Sequence, residues 1–298
     1  MSQKSPRITP TGPLRLDRRR LLASSLAGGA ALALASSRVW PTVAQSMDPF
    51  TFITTMTATT DLGQRVGQAS SEVSPVDADG AVWDTYIQLP IKEGQDFHFT
   101  CEFDSAWIIL TAYDKELSLD EQISLVGIDE TIEPYYEERA DGVYVIGGDI
   151  WEHYSGDYEE NFLARARGNA MRKVFEGAGL TTEVADSRET IEAALHAGKP
   201  VFFKSTVDFL PWRAATWVTP DGDTYPVVLG NDHALIVMGH TADEVIIRDP
   251  LGPTSTNGQR PYQYRVSWDR FLEVFAAQGN DGVAVGPGLV EETGTPEV

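Results

Sequence analysis

The sequence contains one cysteine, Cys101, in 298 residues. A single cysteine excludes a disulfide within the chain, so the thiol is either a small buried apolar side chain or a reactive group. The sequence also does not favour a zinc site, because there is no second cysteine and its 5 histidines include no His-x-x-x-His pair. We therefore expect neither a metal nor any other cofactor.

Positive charge is the second thing that the chain has little of. Lysine and arginine number 23 against 44 aspartates and glutamates, which gives a formal net charge of -21. A surface of this sign repels nucleic acid and anionic membranes, so we expect neither as a partner. It favours solubility, and it suits cationic ligands better than anionic ones.

A long apolar run is missing near the N-terminus as well. The stretch Leu21–Ala35 is short and rich in alanine, glycine and serine, so it is too weakly apolar to span a membrane stably. It follows Asp17-Arg18-Arg19-Arg20-Leu21-Leu22, which resembles a twin-arginine export signal, and cleavage could follow Ala44 or Ala35. We predict that residues 1–44 are such a signal, read by the twin-arginine export machinery. A disordered basic tail is the alternative.

Export determines the expected location of the protein and the expected state of its thiol. The mature protein is predicted to be exported, to the periplasm, the cell surface or the medium, without a stable membrane span. Because twin-arginine export moves folded proteins, the fold forms in the cytoplasm, where thiols stay reduced. We therefore expect a free thiol at Cys101.

Composition divides the rest of the chain into three parts. Residues 45–80 are rich in threonine, serine, glycine and alanine without apolar periodicity, which indicates a linker or N-terminal arm. Residues 81–287 are predicted to form one domain, and residues 288–298 a disordered tail. Within the domain, helical patterns come first and strands second, which is typical of an α+β fold.

The spacing of apolar residues predicts a helix that begins at Cys101 and ends near Asp114. Further helices are predicted after the capping residues Ser118, Ser187 and Ser267, and over 161–177. Strands are predicted over 82–90, 201–206, 233–239, 245–249 and 283–285, with a hairpin over 217–226. Residues 129–160 are acidic and aromatic with many glycines, and Gly147-Gly148-Asp149-Ile150-Trp151 is predicted to form a loop over a surface or cleft.

The second half of the domain holds a histidine and an aspartate on two strands that can pair. A tight hairpin with its turn at 240–242 puts Val237 opposite Val245 and His233 opposite Asp249. In that register the two polar side chains share a face within hydrogen-bond reach, whereas a slip of one residue would separate them. A carboxylate against Nδ1 of the imidazole orients the ring and stabilises its charged form, as a general base requires.

The thiol and a glutamine can complete a catalytic set with this pair. At a helix start, the thiolate of Cys101 is stabilised by unpaired backbone amides and by a nearby imidazolium. Gln95, six residues earlier, can donate its side-chain N–H to an oxyanion together with the backbone N–H of Cys101. His98 is an alternative base, but it lies on a loop with no carboxylate at strand spacing. Each residue alone is ambiguous, since buried cysteines are commonly structural.

Taken together, these residues resemble a known family. Gln95, Cys101-Glu102-x-x-Ser105, His233-x-x-x-x-x-Gly239 and Val245-Ile246-Ile247-Arg248-Asp249-Pro250 are similar to the papain-like double-glycine leader peptidases of bacteriocin exporters and to their stand-alone exported relatives. The resemblance spans about residues 88–286 and implies a papain-like fold, with the helix of Cys101 packed on a C-terminal antiparallel sheet. It implies that Cys101 is the nucleophile, His233 the general base and acid, Asp249 the orienting carboxylate and Gln95 the oxyanion donor. The substrate would then be a peptide or protein, and no cofactor is required.

Two other functions remain open on the same fold. One is an inactive module that binds a peptide or glycan through aromatic side chains: Trp151, Tyr154, Trp212 and Trp217. The other is a cell-wall amidase or transglutaminase-like acyl transferase, which uses the same Cys-His-Asp set. Asp104 bears on activity, because it stands where the family often has a small residue. An acid directed at the thiol would raise the pKa of Cys101.

Overall fold

The computed structural model describes residues 81–254 and 257–288. The predicted export signal (1–44) and linker (45–80) lie outside these residues, as does the predicted tail beyond residue 288. All three therefore remain predictions. None of the helices within 81–254 and 257–288 has the length and apolar character needed to cross a membrane.

The described residues contain the α-helices α1 (Cys101–Ala112), α2 (Leu119–Val126), α3 (Gly168–Gly177), α4 (Arg188–His196) and α5 (Trp268–Ala277). Three of them begin after a capping serine, as predicted. The hydroxyls of Ser118, Ser187 and Ser267 each accept a hydrogen bond from the backbone N–H three residues later. Such a bond satisfies one of the amides that a helix start otherwise leaves unpaired.

The strands are β1 (Thr85–Tyr86), β2 (Ile128–Asp129), β3 (Tyr135–Arg139), β4 (Gly142–Ile146), β5 (Tyr154–Ser155), β6 (Thr181–Val184), β7 (Val201–Thr206), β8 (Ala214–Val218), β9 (Thr224–Val228), β10 (Asp232–His240), β11 (Glu244–Arg248), β12 (Gln263–Ser267) and β13 (Gly282–Gly286). The main sheet is antiparallel, in the order β12-β11-β10-β7-β13-β6, with β1 paired to β10. A second sheet has the order β3-β4-β8-β9, and β2 pairs with β5.

The main sheet separates two hydrophobic clusters. Side chains of α1 and α3 form the cluster on one face, and side chains of α4 and α5 form the cluster on the other. Successive residues of β10 alternate between them, since Ala234 and Ile236 belong to the first cluster and Leu235 and Val237 to the second. The helix that begins at Cys101 therefore packs on the sheet, as an α+β fold of the predicted kind requires.

The region between residues 129 and 167 differs from the prediction. No strand was predicted over 129–160, where the structure has β3 and β4, and the predicted helix of 161–177 begins only at Gly168. The side chain of Asn161 accepts the backbone N–H of Leu163, and Arg165 forms a β-bridge with Ser155. These bonds hold the segment in turn and extended conformations, because a side chain that bonds the local backbone competes with the helix. The predicted strand of 82–90 is likewise shorter, and only Thr85–Tyr86 pairs as a strand.

The pairing of β10 with β11 is displaced by two residues from the predicted register. Val237 lies opposite Ile247 and not Val245, so the predicted direct pairing of the catalytic candidates is wrong. The hydroxyl of Thr241 accepts bonds from two following backbone amides and places the turn after His240, and a bulge interrupts the ladder beyond Val237. A displacement by two residues nevertheless keeps each side chain on its predicted face.

Candidate active site

His233 and Asp249 are hydrogen bonded to each other in the main sheet. Nε2 of His233 lies 2.9 Å from Oδ1 of Asp249, and both side chains are buried. Their residues are diagonal neighbours across the pair of strands and not direct neighbours, but long polar side chains bridge that separation. The carboxylate thus meets Nε2 and not Nδ1 as predicted, so Nδ1 is the ring nitrogen left for proton transfer.

Three further donors hold the carboxylate of Asp249. Its Oδ2 accepts a bond from the Tyr264 hydroxyl at 2.8 Å and another from the Arg260 guanidinium, and its Oδ1 accepts the backbone N–H of Leu251 at 2.8 Å. Burial by itself raises the pKa of Asp249, but the charges of His233 and Arg260 outweigh it and hold this pKa well below its usual range. Asp249 is therefore a fixed carboxylate that orients the imidazole. Neither Arg260 nor Tyr264 was predicted from the sequence to belong to the site.

Cys101 is the first residue of α1, as predicted. Its thiol is buried, and Sγ donates a hydrogen bond to Oε2 of Glu102 at 3.2 Å. No hydrogen bond joins this thiol to His233 in the part of the chain that the structure describes. Burial raises the pKa of Cys101 well above its usual value, and the carboxylate of Glu102 raises it further. In this conformation the side chain is a protonated thiol directed at Glu102.

The start of α1 lies beside the start of β10. The hydroxyl of Ser105, one helical turn after Cys101, donates a hydrogen bond of 3.0 Å to the carbonyl of Ala234, the neighbour of His233. The pleat of β10 directs Ala234 towards α1 and His233 towards the other face. The start of α1 and the start of β10 thus meet at one corner of the sheet, but the thiol and the His–Asp pair face different sides of β10 and are not bonded to each other.

The side-chain amide of Gln95 is a donor without an acceptor. Its Nε2 atom is buried and has no hydrogen-bond partner among the described residues. A buried N–H group left unpaired is costly, so native proteins rarely keep one unless a water or ligand satisfies it. The position of this amide six residues before Cys101 is compatible with its predicted role as an oxyanion donor.

The carboxylate of Asp104 is bonded to groups other than the thiol. Its Oδ2 accepts the Thr100 hydroxyl at 2.7 Å, and its Oδ1 lies 3.0 Å from Nζ of Lys92. Burial raises the pKa of Asp104 to about 6, although Thr100 and Lys92 both act to lower it. The acid at the thiol is Glu102, for which no role was predicted from the sequence beyond its place in the motif Cys101-Glu102-x-x-Ser105.

Glu102 belongs to a row of four buried charges, here called the buried ion chain: Glu102, Lys204, Asp232 and Arg165. Lys204 pairs with Oε1 of Glu102 and lies 2.9 Å from Oδ2 of Asp232. Arg165 lies 3.6 Å from the other oxygen of Asp232. Burial acts to lower the pKa of Lys204, but Asp232 and Glu102 outweigh it and raise this pKa. Buried charges that alternate in sign in this way compensate one another.

The remaining histidines are not bonded to the His–Asp pair. His98 is exposed on the loop before α1, and His153 is partly buried. His240 ends β10 and packs edge-on against His196, with ring centroids 5.2 Å apart. The structure described for 81–254 and 257–288 contains no cluster of three histidine, cysteine or acidic side chains suited to a metal ion.

Comparison with known proteins assigns the chain to a family. The model of the Peptidase_C39 like family matches residues 86–283, about two thirds of the 298 residues. The chain belongs to the Peptidase_C39-like family. This C39-like chain is similar to a crystal structure of a candidate C39-like peptidase from Bacillus anthracis. The two share 17% identity over 67% of this chain and 96% of that chain, with a TM-score of 0.50. No curated protein matches the chain.

The family and the similar structure confirm the predicted fold class. The C39-like protein has the α+β fold of the papain-like cysteine peptidases, with α1 packed on an antiparallel sheet. At 17% identity the structural similarity shows the fold alone. The matched region includes Gln95, Cys101, His233 and Asp249, and the catalytic roles of these four residues remain predictions.

Proposed function

We propose that this C39-like protein is a cysteine peptidase that hydrolyses peptide bonds by a Cys-His-Asp mechanism. The observation that carries the proposal is the 2.9 Å bond between Nε2 of His233 and Oδ1 of Asp249, in a chain that belongs to a peptidase family. This bond fixes one ring nitrogen and leaves the other for a proton. Cys101 at the start of α1 supplies the nucleophile next to that corner of the sheet.

In the acylation step, the proton of the Cys101 thiol moves to Nδ1 of His233. The thiolate then forms a bond to the carbonyl carbon of the substrate, and the carbonyl oxygen becomes an oxyanion. The Nε2 group of Gln95 and the backbone N–H of Cys101 donate hydrogen bonds to this oxyanion. The carbon–nitrogen bond breaks when the His233 imidazolium gives its proton to the leaving amine.

Deacylation returns the enzyme to its starting state. His233, now neutral, takes a proton from a water molecule, and the hydroxide forms a bond to the acyl carbon. The carbon–sulfur bond breaks, and the proton held by His233 returns to the Cys101 sulfur. Asp249 keeps the same bond to Nε2 in both steps and stabilises the imidazolium whenever it forms.

Labelling with an electrophilic thiol probe tests this proposal. The reduced wild-type protein should be labelled, Cys101→Ala should not be labelled, and His233→Ala should be labelled far more slowly than the wild type. His98→Ala is the control, because this histidine is exposed and close in sequence to Cys101 but has no role in the mechanism. Labelling of His233→Ala at the wild-type rate would overturn the catalytic assignment. Activity on peptidoglycan fragments without activity on peptides would instead indicate a cell-wall amidase.

A second candidate function is an inactive module that binds peptides or glycans. The observation that favours it is the hydrogen bond from Cys101 to Glu102, because a thiol bonded to a carboxylate is protonated and a poor nucleophile. The exposed Trp151, stacked on Tyr225 at 5.6 Å, offers an aromatic surface for such a ligand. Binding of peptides or glycans that is unchanged in Cys101→Ala, without hydrolysis by the wild type, would support this function.

We also propose that the protein is exported through the twin-arginine machinery, on the basis of Arg18-Arg19-Arg20 in the sequence. Replacement of all three arginines by lysine keeps the charge but removes the arginine pair that defines the signal. The full-length variant should accumulate in the cytoplasm of a host with this machinery, while the wild type is exported. Equal export of both proteins would contradict this localisation.

A further inference from the structure

Glu102 is a fully buried carboxylate, next in sequence to Cys101, that the proposed mechanism does not use. Its Oε2 accepts the hydrogen bond of the thiol at 3.2 Å. Its Oε1 accepts the backbone N–H of Ala166 at 3.3 Å and pairs with Lys204. Both carboxylate oxygens are therefore occupied, and one of them is occupied by the proposed nucleophile.

The charged groups that act on the thiol form compensated pairs. Glu102 on α1, Lys204 on β7 and Asp232 on β10 act on it, and Arg165, from the segment before α3, pairs with Asp232. The neutral Tyr154 hydroxyl of β5 donates instead to the carbonyl of Phe99. Two cations balance two anions in this buried ion chain, so a thiolate formed beside Glu102 would be an additional and uncompensated negative charge. Such a charge is costly in a buried site.

We propose that Glu102 is a positioning residue that holds the Cys101 thiol protonated and away from His233 in the resting protein. The proposal rests on the proposed peptidase function. Activation requires the Cys101 thiol to leave Glu102 and to meet His233. The S–H bond then breaks, the proton moves to Nδ1 of His233, and the electron pair stays on sulfur. No oxidant, reductant or other reactant takes part.

Lys204 determines how strongly Glu102 holds the thiol. The lysine pairs with the same carboxylate. A carboxylate accepts a hydrogen bond from a thiol but repels a thiolate. Glutamine at position 102 keeps the size and one acceptor oxygen, but it removes the negative charge and adds a donor that can stabilise a thiolate. The thiol of Glu102→Gln should therefore ionise at lower pH.

The alkylation rate of the single cysteine by iodoacetamide, measured against pH, tests this proposal. The pH at which the alkylation rate reaches half of its maximum should lie about one unit lower for Glu102→Gln than for the wild type. This pH is called the midpoint. Alkylation at neutral pH should be about threefold faster, because the tenfold gain in thiolate is partly offset by its lower nucleophilicity. Asp104→Asn is the matched control, since Asp104 is a buried acid of the same helical turn that does not contact the thiol. Its midpoint should equal that of the wild type.

A second measurement needs no variant and covers the case in which Glu102→Gln does not fold. Because the chain has one cysteine, its S–H stretching band in an infrared spectrum belongs to Cys101. A band shifted to lower frequency than that of a free thiol at neutral pH is expected. A band at the frequency of an unbonded thiol, no band, or a midpoint in Glu102→Gln at or above the wild-type value would overturn the proposal. Neither measurement depends on peptide hydrolysis, so failure of the peptidase proposal is detected separately, by the His233→Ala labelling.

Discussion

Arg260 and His233 bond to different oxygens of one carboxylate, that of Asp249. Arg260 also pairs with Asp208, which has a left-handed backbone conformation with φ of 55°. The side chains of Asp249, Arg260 and Asp208 thus alternate in charge and connect the imidazole to the strained turn at Asp208. Arg260 at one oxygen of Asp249 would repel a His233 imidazolium at the other oxygen. It therefore reduces the electrostatic stabilisation that Asp249 gives to the imidazolium.

Replacement of Arg260 should therefore change the pH dependence of hydrolysis. In Arg260→Gln the imidazolium of His233 faces Asp249 without a competing cation, so the neutral imidazole that the mechanism needs as a base should form only at higher pH. The acid limb of the pH–rate profile should therefore shift to higher pH. Arg260→Lys keeps the charge and should leave this limb in place. Arg248→Gln is the control, because Arg248 is also buried but bonds to Leu89 and Gln263. A profile of Arg260→Gln that matches the wild type would refute this tuning role.

Asp249→Asn should reduce kcat by about 10² to 10⁴, the range attributed to general acid–base catalysis, with a small change in KM. The amide holds the ring less firmly and does not stabilise the imidazolium. Removal of one partner of the buried pair with Arg260 should also cost about 3–5 kcal/mol of unfolding free energy, measured by denaturant titration. Tyr264→Phe is the milder control, since it removes only one of the bonds to Asp249. A kcat of Asp249→Asn within tenfold of the wild type would exclude Asp249 from the mechanism.

Gln95→Ala should lower kcat by about 10² to 10³ without loss of stability. The reason is that Nε2 of Gln95 has no hydrogen-bond partner in the described structure, so its removal breaks no bond in the resting protein. Gln122→Ala should behave in the opposite way. Its amide donates to the carbonyl of Leu117 at 3.2 Å, so this variant should lose about 1 kcal/mol of stability and keep its kcat. Steady-state kinetics and denaturant unfolding of both variants distinguish the two roles.

Asp104 should make the stability of the protein depend on pH. Its pKa is raised to about 6 in the folded state by burial, whereas an unfolded aspartate titrates near pH 4. The folded state therefore binds the proton more tightly, and the stability that this provides is present below about pH 4 and lost as the pH rises through about 6. Relative to Asp104→Asn, the wild type should lose about 3 kcal/mol between these limits.

Denaturant unfolding at a series of pH values measures this difference. Asp120→Asn is the control, because Asp120 is an exposed acid in the first turn of the next helix. The difference between Asp104→Asn and the wild type should grow with pH, while the difference for Asp120→Asn should stay constant. A constant difference for both variants would show that Asp104 does not titrate in this range.

Local patterns in the sequence were sufficient to predict the helices with serine caps, the start of α1 at Cys101 and most strands of the main sheet. The strands β3 and β4 were missed because β3 is almost wholly exposed and has no apolar face to produce an alternating pattern. The register of β10 with β11 was missed by two residues because it depends on the bonds of Thr241 and on a bulge. Because the register differs from the prediction by an even number of residues, His233 and Asp249 were still predicted to lie on one face, as the structure has them.

The partners of the site residues could not be predicted from the sequence, because they come from distant segments. Lys204 lies about a hundred positions beyond Glu102, and only the pairing of β7 with β10 brings it to the start of α1. Arg260 contacts Asp249 from outside the strands of the main sheet. Asp104 could be recognised from the sequence because it stands where the family often has a small residue. Glu102 fits the pattern, and its burial next to the thiol is visible only in three dimensions.

The bonds of Lys92 and Asp104 have a consequence for the geometry of the site. Lys92 bonds to Asp96 at 2.8 Å and to Asp104 at 3.0 Å, and the backbone N–H of Phe97 bonds to the Thr100 hydroxyl at 3.0 Å. The loop that carries Gln95 is therefore fastened to the first turn of the helix that carries Cys101. These bonds fix the backbone of Gln95 relative to that of Cys101, so the spacing of the two predicted oxyanion donors should be set by this loop and not by the strand that carries the histidine.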